Sequence, residues 1–131
     1  MALFKINTSA TAKWTLFAYT LFIATIFILA YIGLIPTRLH AIPFYDSAGH
    51  FILYGCWGFC LGWTFSKTLI RISVFKIYIG IMIAMAIATI EEFLQQLSPL
   101  RTFSLLDLFW GILGIGVACI ILNCNEKKLK I

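Results

Sequence analysis

The sequence predicts an all-α fold: a polytopic membrane protein with four transmembrane helices in a compact bundle with short loops. Hydrophobic residues make up 62% of the chain and charged residues 11%, and the mean hydropathy is +0.99. A chain of this composition lacks the polar surface that a water-soluble globule needs. Its uncharged runs also reach the length of about 20 residues that a helix needs to cross a bilayer.

The four helices are predicted at about 14–36, 48–66, 74–97 and 104–123. The first run follows Lys13, and Pro99 closes the third. Gly58 and Gly62 form a GxxxG motif in the second helix, and Gly114 belongs to a face of small residues in the fourth, which allows helices to approach closely. At 131 residues the chain is predicted to be a single domain, 1–131.

The basic residues predict the orientation of the bundle in the membrane. With four spans, Arg38 and Arg101 fall on one side, and the other eight of the ten lysines and arginines fall on the side of the two termini. Those eight are Lys5, Lys13, Lys67, Arg71, Lys76, Lys127, Lys128 and Lys130. Because Lys and Arg concentrate on the cytoplasmic side of membrane proteins, we predict a multi-pass protein of a cytoplasmic membrane with both termini in the cytoplasm.

Composition also excludes some functions. The net charge of +5 comes from basic residues scattered at the ends of apolar runs, which is typical of helix anchoring, so nucleic acid is not expected as a partner. Cys56, Cys60, Cys119 and Cys124 show no CxxC spacing, so we interpret them as packing residues. The sequence assigns no cofactor and no metal.

The scarce polar residues gather on the predicted outer half of the bundle. Three segments bring them to one level: the start of the second helix, the end of the third, and the outer loop with the start of the fourth. Intramembrane ionisable groups are candidates for function. The predicted outward-facing polar cleft consists of Asp46, His50, Tyr54, Glu92, Gln95, Arg101 and Asp107.

Helical geometry predicts the partners within this cleft. Gln95 follows Glu92 by three residues and shares its helix face. Arg101 is the expected counter-ion of Glu92, because its planar guanidinium suits a carboxylate. Glu91 points about 100° away from Glu92, and we expect it to extend towards water instead.

The order of these residues resembles the VanZ-like family of small bacterial integral membrane proteins. The matching pattern is Asp46-x-x-x-His50-x-x-x-Tyr54, then Glu92-x-x-Gln95, Pro99, Arg101, Asp107 and Gly114. Ser47 stands where the family often has lysine, and Gly111 where it usually has asparagine. The resemblance implies a protein of the bacterial cytoplasmic membrane and cell envelope, linked to resistance to the glycopeptide antibiotic teicoplanin.

Three functions remain open from the sequence. The first is a binding protein whose cleft recognises the head group of a membrane-embedded ligand, such as a lipid-linked wall precursor or a lipoglycopeptide, with membrane lipids as further partners. The second is an interfacial lipid-modifying enzyme using Glu92, His50 and Asp107 as acid–base groups or as ligands of a divalent metal. No HExxH or nucleophile-elbow motif supports it. The third is a structural membrane subunit or a small transporter, and the oligomeric state stays open.

Overall fold

Helices make up most of this protein. The structure is a computed structural model and describes residues 10–35, 43–66, 68–73, 75–101 and 103–128. Its elements are helices α1 (Ala10–Tyr31), α2 (Tyr45–Thr64), α3 (Ile79–Gln95) and α4 (Leu105–Lys128), with strands β1 (Thr68–Ile72) and β2 (Phe75–Tyr78) between α2 and α3. Of the basic residues used to predict orientation, Lys5, Arg38, Lys67 and Lys130 lie outside the described residues.

Helix α1 ends earlier than the predicted 14–36, because a glycine closes it. Gly33 has a φ of +73°, a left-handed conformation that glycine adopts without the steric cost of a Cβ. The Leu34 N–H donates to the Leu29 carbonyl and the Gly33 N–H to the Ala30 carbonyl. This pair of bonds is a Schellman motif, which satisfies the last carbonyls of a helix.

The segment before α3 corrects the predicted third helix, 74–97. Residues 75–78 form strand β2, which pairs antiparallel with β1 so that Arg71 lies opposite Lys76 and Ile72 opposite Phe75. Aromatic and β-branched residues dominate this stretch, and they favour strands. Ser73 makes the turn with a φ of +54°. The helix proper therefore has 17 residues and starts at Ile79.

Helix α2 is the centre of the bundle and packs against α1, α3 and α4. It runs parallel to α4, since Ser47 contacts Asp107 and Gly62 lies against Leu122. Gly114 of α4 sits so close to α2 that a Cβ there would collide with the Phe51 carbonyl. The predicted role of the small residues in helix packing is therefore confirmed at this contact.

Helix α1 is attached to α2 through side-chain hydrogen bonds at several heights. The Thr64 hydroxyl donates to the Ala12 carbonyl at 3.2 Å, and the Trp57 indole N–H donates to the Thr20 hydroxyl at 3.0 Å. The sequence of α1 is apolar around most of its circumference. These hydrogen bonds therefore determine which face of α1 packs against α2.

Two helices are long and apolar enough to cross a membrane: α1 and the Leu105–Asn125 part of α4. Only 11% of the α1 segment is buried inside the protein, whereas a helix in the core of a soluble protein is mostly buried. Trp14, Phe17 and Leu105 expose 69%, 56% and 70% of their surface. Among the described residues α2 and α3 do not combine such length and hydropathy, so the predicted four-span bundle is supported for two helices only.

A buried asparagine fixes the hairpin to α4. The Asn123 side-chain oxygen accepts the Lys76 N–H at 2.8 Å, and its amide nitrogen donates to the Lys76 carbonyl at 2.8 Å. The same nitrogen also donates to the Cys119 carbonyl at 2.8 Å. The side-chain amide thus pairs with β2 much as a neighbouring strand would, at the end of the bundle opposite the polar cluster described next.

Candidate functional site

Polar side chains meet where α2 and α4 begin and α1 and α3 end. We call this group the polar cluster; it comprises Tyr31, Asp46, Ser47, His50, Tyr54, Glu91, Glu92, Gln95, Arg101, Ser104 and Asp107. All seven residues of the predicted cleft lie within it, linked by the contacts below. The prediction that three segments bring their polar groups to one level is confirmed, and α1 adds a fourth.

Glu92 is the most deeply buried acid of the cluster, with 1% of its surface exposed. Its Oε1 accepts the Ser104 backbone N–H at 2.7 Å. That N–H stands just before α4, and the Ser104 hydroxyl accepts the Asp107 N–H at 3.3 Å, as the capping residue of a helix does. Glu92 therefore ties the end of α3 to the start of α4.

The other oxygen of Glu92 faces His50 of α2. Oε2 lies 3.7 Å from His50 Nε2, which is too long for a hydrogen bond. On the far side of the ring, Nδ1 is 2.9 Å from the Asp46 carbonyl oxygen. Because a carbonyl only accepts, Nδ1 carries a proton there. Within the part of the chain that the structure describes, Nε2 and Oε2 are buried without a hydrogen-bond partner.

Arg101 pairs differently from the sequence prediction. Its guanidinium lies 3.6 Å from the Asp46 carboxylate, while the ion-pair partner found for Glu92 is His50. The predicted ion pair between Glu92 and Arg101 was therefore wrong among the described residues. Arg101 lies in the loop after α3 and approaches α2 instead. The Arg101 side chain is 14% exposed. Its Nε has no hydrogen-bond partner among the described residues.

Glu91 corrects the expectation that it would extend towards water. Its carboxylate accepts hydrogen bonds from the Tyr54 hydroxyl at 2.8 Å, the Tyr31 hydroxyl at 3.3 Å and the Gln95 amide at 2.9 Å. The end of α3 meets α1 and α2 on one side and α4 on the other, so both acids face protein. The spacing of four residues from Glu91 to Gln95 is a helical neighbour relation that could have revealed this contact.

This chain differs from the VanZ-like pattern at Ser47, which belongs to the polar cluster, and at Gly111, which lies beside it. The Ser47 hydroxyl donates to the Asp107 carboxylate at 2.6 Å. A Cβ at Gly111 would come within 3.1 Å of the Tyr54 ring, whose hydroxyl holds Glu91. Serine and glycine at these positions thus keep Asp107 hydrogen-bonded and leave room for Tyr54.

A cavity of about 180 Å³ adjoins the polar cluster between α1 and α2. Its polar lining includes Asp46, His50 and Arg101, with Tyr45 and Tyr54. Its apolar lining includes Ile26, Phe27, Ala30 and Leu53. Leu53 follows Asp46 by seven residues, which is about 10 Å along a helix. Over this length the cavity wall changes from charged to apolar side chains. A lipid changes in the same way from its head group to its acyl chain.

Together, these features define a helical protein with two helices able to span a membrane and a buried polar cluster where four helices meet. Comparisons with protein-family models, curated proteins and solved structures find no match to this chain. The functional argument consequently depends on the geometry of the cluster and its cavity.

Proposed function

We propose that this chain is a four-span membrane protein of the bacterial cell envelope that binds the head group of a membrane-embedded amphiphile. The observation that carries the proposal is the cavity whose lining passes from Arg101, Asp46 and His50 to apolar side chains. Sites for small molecules are typically apolar with a few convergent polar groups. The resemblance to the VanZ-like family agrees with this function and adds lipid-linked wall precursors and lipoglycopeptides such as teicoplanin as ligands to test.

The polar groups suit a head group that carries both charge and hydroxyl or amine donors. Arg101 offers a guanidinium to an anionic group, because its side chain lines the cavity and is 14% exposed. The Asp46 carboxylate, with a side chain 41% exposed, accepts hydrogen bonds from a sugar, amide or amine. The chain of the amphiphile would follow Phe27 and Leu53 towards the middle of the bundle.

Filling the cavity is expected to weaken binding without unfolding the protein. A Cβ at Gly49, which lines the cavity, would meet no atom within 4 Å, so Gly49→Leu places a side chain in the open space. We expect the Kd for an added lipid, measured by native mass spectrometry, to rise about 10-fold, which corresponds to roughly 1.4 kcal/mol of binding free energy. Less lipid should also remain bound after detergent washing.

Ala48→Leu is the matched control, because Ala48 is exposed and does not line the cavity. It should retain lipid as the parent does. Equal retention by the two variants would contradict the proposed site. In a susceptible bacterium, any teicoplanin tolerance conferred by the parent should disappear with Gly49→Leu at equal membrane abundance and persist with Ala48→Leu.

The proposed orientation directs the polar cluster outwards and the hairpin to the cytoplasm. Lys13, Arg71 and Lys76 belong to the end opposite the cluster, which agrees with the excess of basic residues on the cytoplasmic side. In a background without the native cysteines, Pro99→Cys should react with an impermeant maleimide in intact cells. Ser73→Cys should react only after the membrane is opened. Labelling with the reverse pattern would contradict the orientation.

A second candidate is an interfacial enzyme, favoured by the facing pair His50 Nε2 and Glu92 Oε2 at 3.7 Å. Such a pair has the residue types of an acid–base couple. Asp107, the third predicted catalytic group, accepts the Ser47 hydroxyl and lies beside Ser104. Turnover of a retained lipid, detected as a change in its mass, would favour the enzyme over the binding protein.

A further inference from the structure

The polar cluster carries more negative than positive charge. Four carboxylates, those of Asp46, Glu91, Glu92 and Asp107, share it with one guanidinium, that of Arg101. Arg101 is paired at 3.6 Å with Asp46, whose side chain is 41% exposed. Buried charges require a counter-charge. The inner carboxylates Glu91 and Glu92 are therefore left to be compensated by His50 or by a bound cation.

The proton on His50 Nδ1 decides what its other nitrogen offers. In the neutral ring, Nδ1–H donates to the Asp46 carbonyl, so Nε2 presents a bare lone pair. That lone pair faces Glu92 Oε2 at 3.7 Å, and neither atom has a hydrogen-bond partner among the described residues. His50 is 6% exposed and Glu92 1% exposed, so water does not readily solvate the two atoms. At 3.7 Å the two atoms are too far apart to share a proton in a hydrogen bond, whereas a metal ion between them would accept both lone pairs.

Glu91 supplies a third ligand atom. His50, Glu91 and Glu92 each offer one ligand atom, and these three atoms lie within 4.8 Å of one another. Metal–ligand bonds of about 2.0–2.2 Å separate two ligands on one zinc ion by roughly 3–4 Å, which the 3.7 Å between His50 and Glu92 already satisfies.

Hydrogen bonds from neighbouring groups hold these three side chains in position, as they do around the ligands of a metal site. A metal-binding histidine usually donates its second N–H to a carbonyl or carboxylate, as His50 does to Asp46. The Tyr54 hydroxyl and the Gln95 amide hold Glu91 at 2.8 and 2.9 Å, and the Ser104 N–H holds Glu92 at 2.7 Å. The donors that fix both carboxylates are thus already in position.

We propose that His50, Glu91 and Glu92 form a site for a divalent transition-metal ion, with Zn²⁺ the best match. One imidazole with two carboxylates suits zinc, and three protein ligands leave a fourth position open. His50 also lines the cavity, so the metal site would adjoin the space in which a polar group is proposed to bind. The metal site does not depend on the proposed lipid binding and stands if the cavity takes no amphiphile.

The test uses the purified full-length protein in detergent, stripped with a chelator and titrated with Zn²⁺ and with Co²⁺, whose absorption bands report its coordination. We expect one ion per chain. Glu92→Gln should weaken binding about 100-fold or more, because a ligand is lost. The same variant should be at least as thermostable as the chelated parent, because an amide N–H can donate to His50 Nε2 while the amide oxygen keeps the Ser104 contact.

Glu126→Gln is the matched control: it removes a carboxylate by the same change near the far end of α4, and it should bind the ion as the parent does. His50→Gln is a second variant, which removes the other unpartnered atom and should also abolish binding. The proposal is overturned if the stripped parent takes up neither ion at millimolar concentration. It is equally overturned if Glu92→Gln and His50→Gln bind like Glu126→Gln.

Discussion

Replacing Glu91 with leucine is expected to lower the free energy of unfolding of the chelated protein by about 3 kcal/mol or more. Leucine roughly preserves the volume, so the loss comes from the donors left behind rather than from a cavity. The Tyr54 hydroxyl and the Gln95 amide are buried and would lose their acceptor. Thermal or denaturant unfolding in detergent measures the effect.

Two comparisons make this result specific. Ile90→Ala changes an exposed neighbour on the same helical turn and should cost much less. Adding Tyr54→Phe to Glu91→Leu removes one orphaned hydroxyl, so the double variant should be more stable than the sum of the two single losses predicts. Strict additivity, or a Glu91→Leu loss no larger than that of Ile90→Ala, would mean that the network around Glu91 contributes little.

Replacing Asn123 with leucine is expected to cost about 2–4 kcal/mol and to loosen the hairpin from α4. The substitution removes the hydrogen bonds with the Lys76 N–H, the Lys76 carbonyl and the Cys119 carbonyl. Hydrogen exchange of the Lys76 amide should accelerate well beyond that of amides in the middle of α2. Thermal unfolding gives the accompanying loss of stability.

Asn123→Asp separates the parts of this contact. It keeps an acceptor for the Lys76 N–H but loses the donor to the two carbonyls, so its Lys76 amide should exchange more slowly than in Asn123→Leu. Cys124→Ala changes the exposed neighbouring side chain and should leave exchange unchanged. Unaltered exchange in Asn123→Leu would show that strand pairing alone holds β2 in place.

Most of the helical pattern follows from local properties of the sequence. Long apolar runs predicted α1 and α4, and Gly33, a residue suited to a left-handed C-terminus, accounts for the early end of α1. The hairpin was missed because strong hydrophobicity over 74–78 was interpreted as helix, although Phe75 and Ile77 also favour strands. Missing the hairpin hid the role of Asn123, which is buried and bonded to β2.

Seven of the eleven residues of the polar cluster were predicted from the sequence, whereas Tyr31, Ser47, Glu91 and Ser104 were not, and most of the pairings were missed. Spacing placed Glu92, His50 and Asp107 at one level of the bundle. Which acid faces which neighbour depends on how α1 and α4 are arranged around the end of α3, and this arrangement is a long-range property. Thus Arg101 reaches Asp46 from a loop whose path no periodicity specifies. The hydrogen bond between Gln95 and Glu91 is different, because their spacing of four residues on one helix could have predicted it.

The attachment of α1 has a consequence for the role of solvent. In hydrocarbon, the bonds from Thr64 to Ala12 and from Trp57 to Thr20 have no competing water. Apolar packing, in contrast, gains little there, because lipid chains contact α1 about as well as α2 does. The stability of the contact between α1 and α2 therefore depends on how completely water is excluded from these hydrogen bonds. If water reaches these donors, α1 loses the hydrogen bonds that fix its position on α2. The wall of the cavity that α1 contributes would then lose its fixed position too.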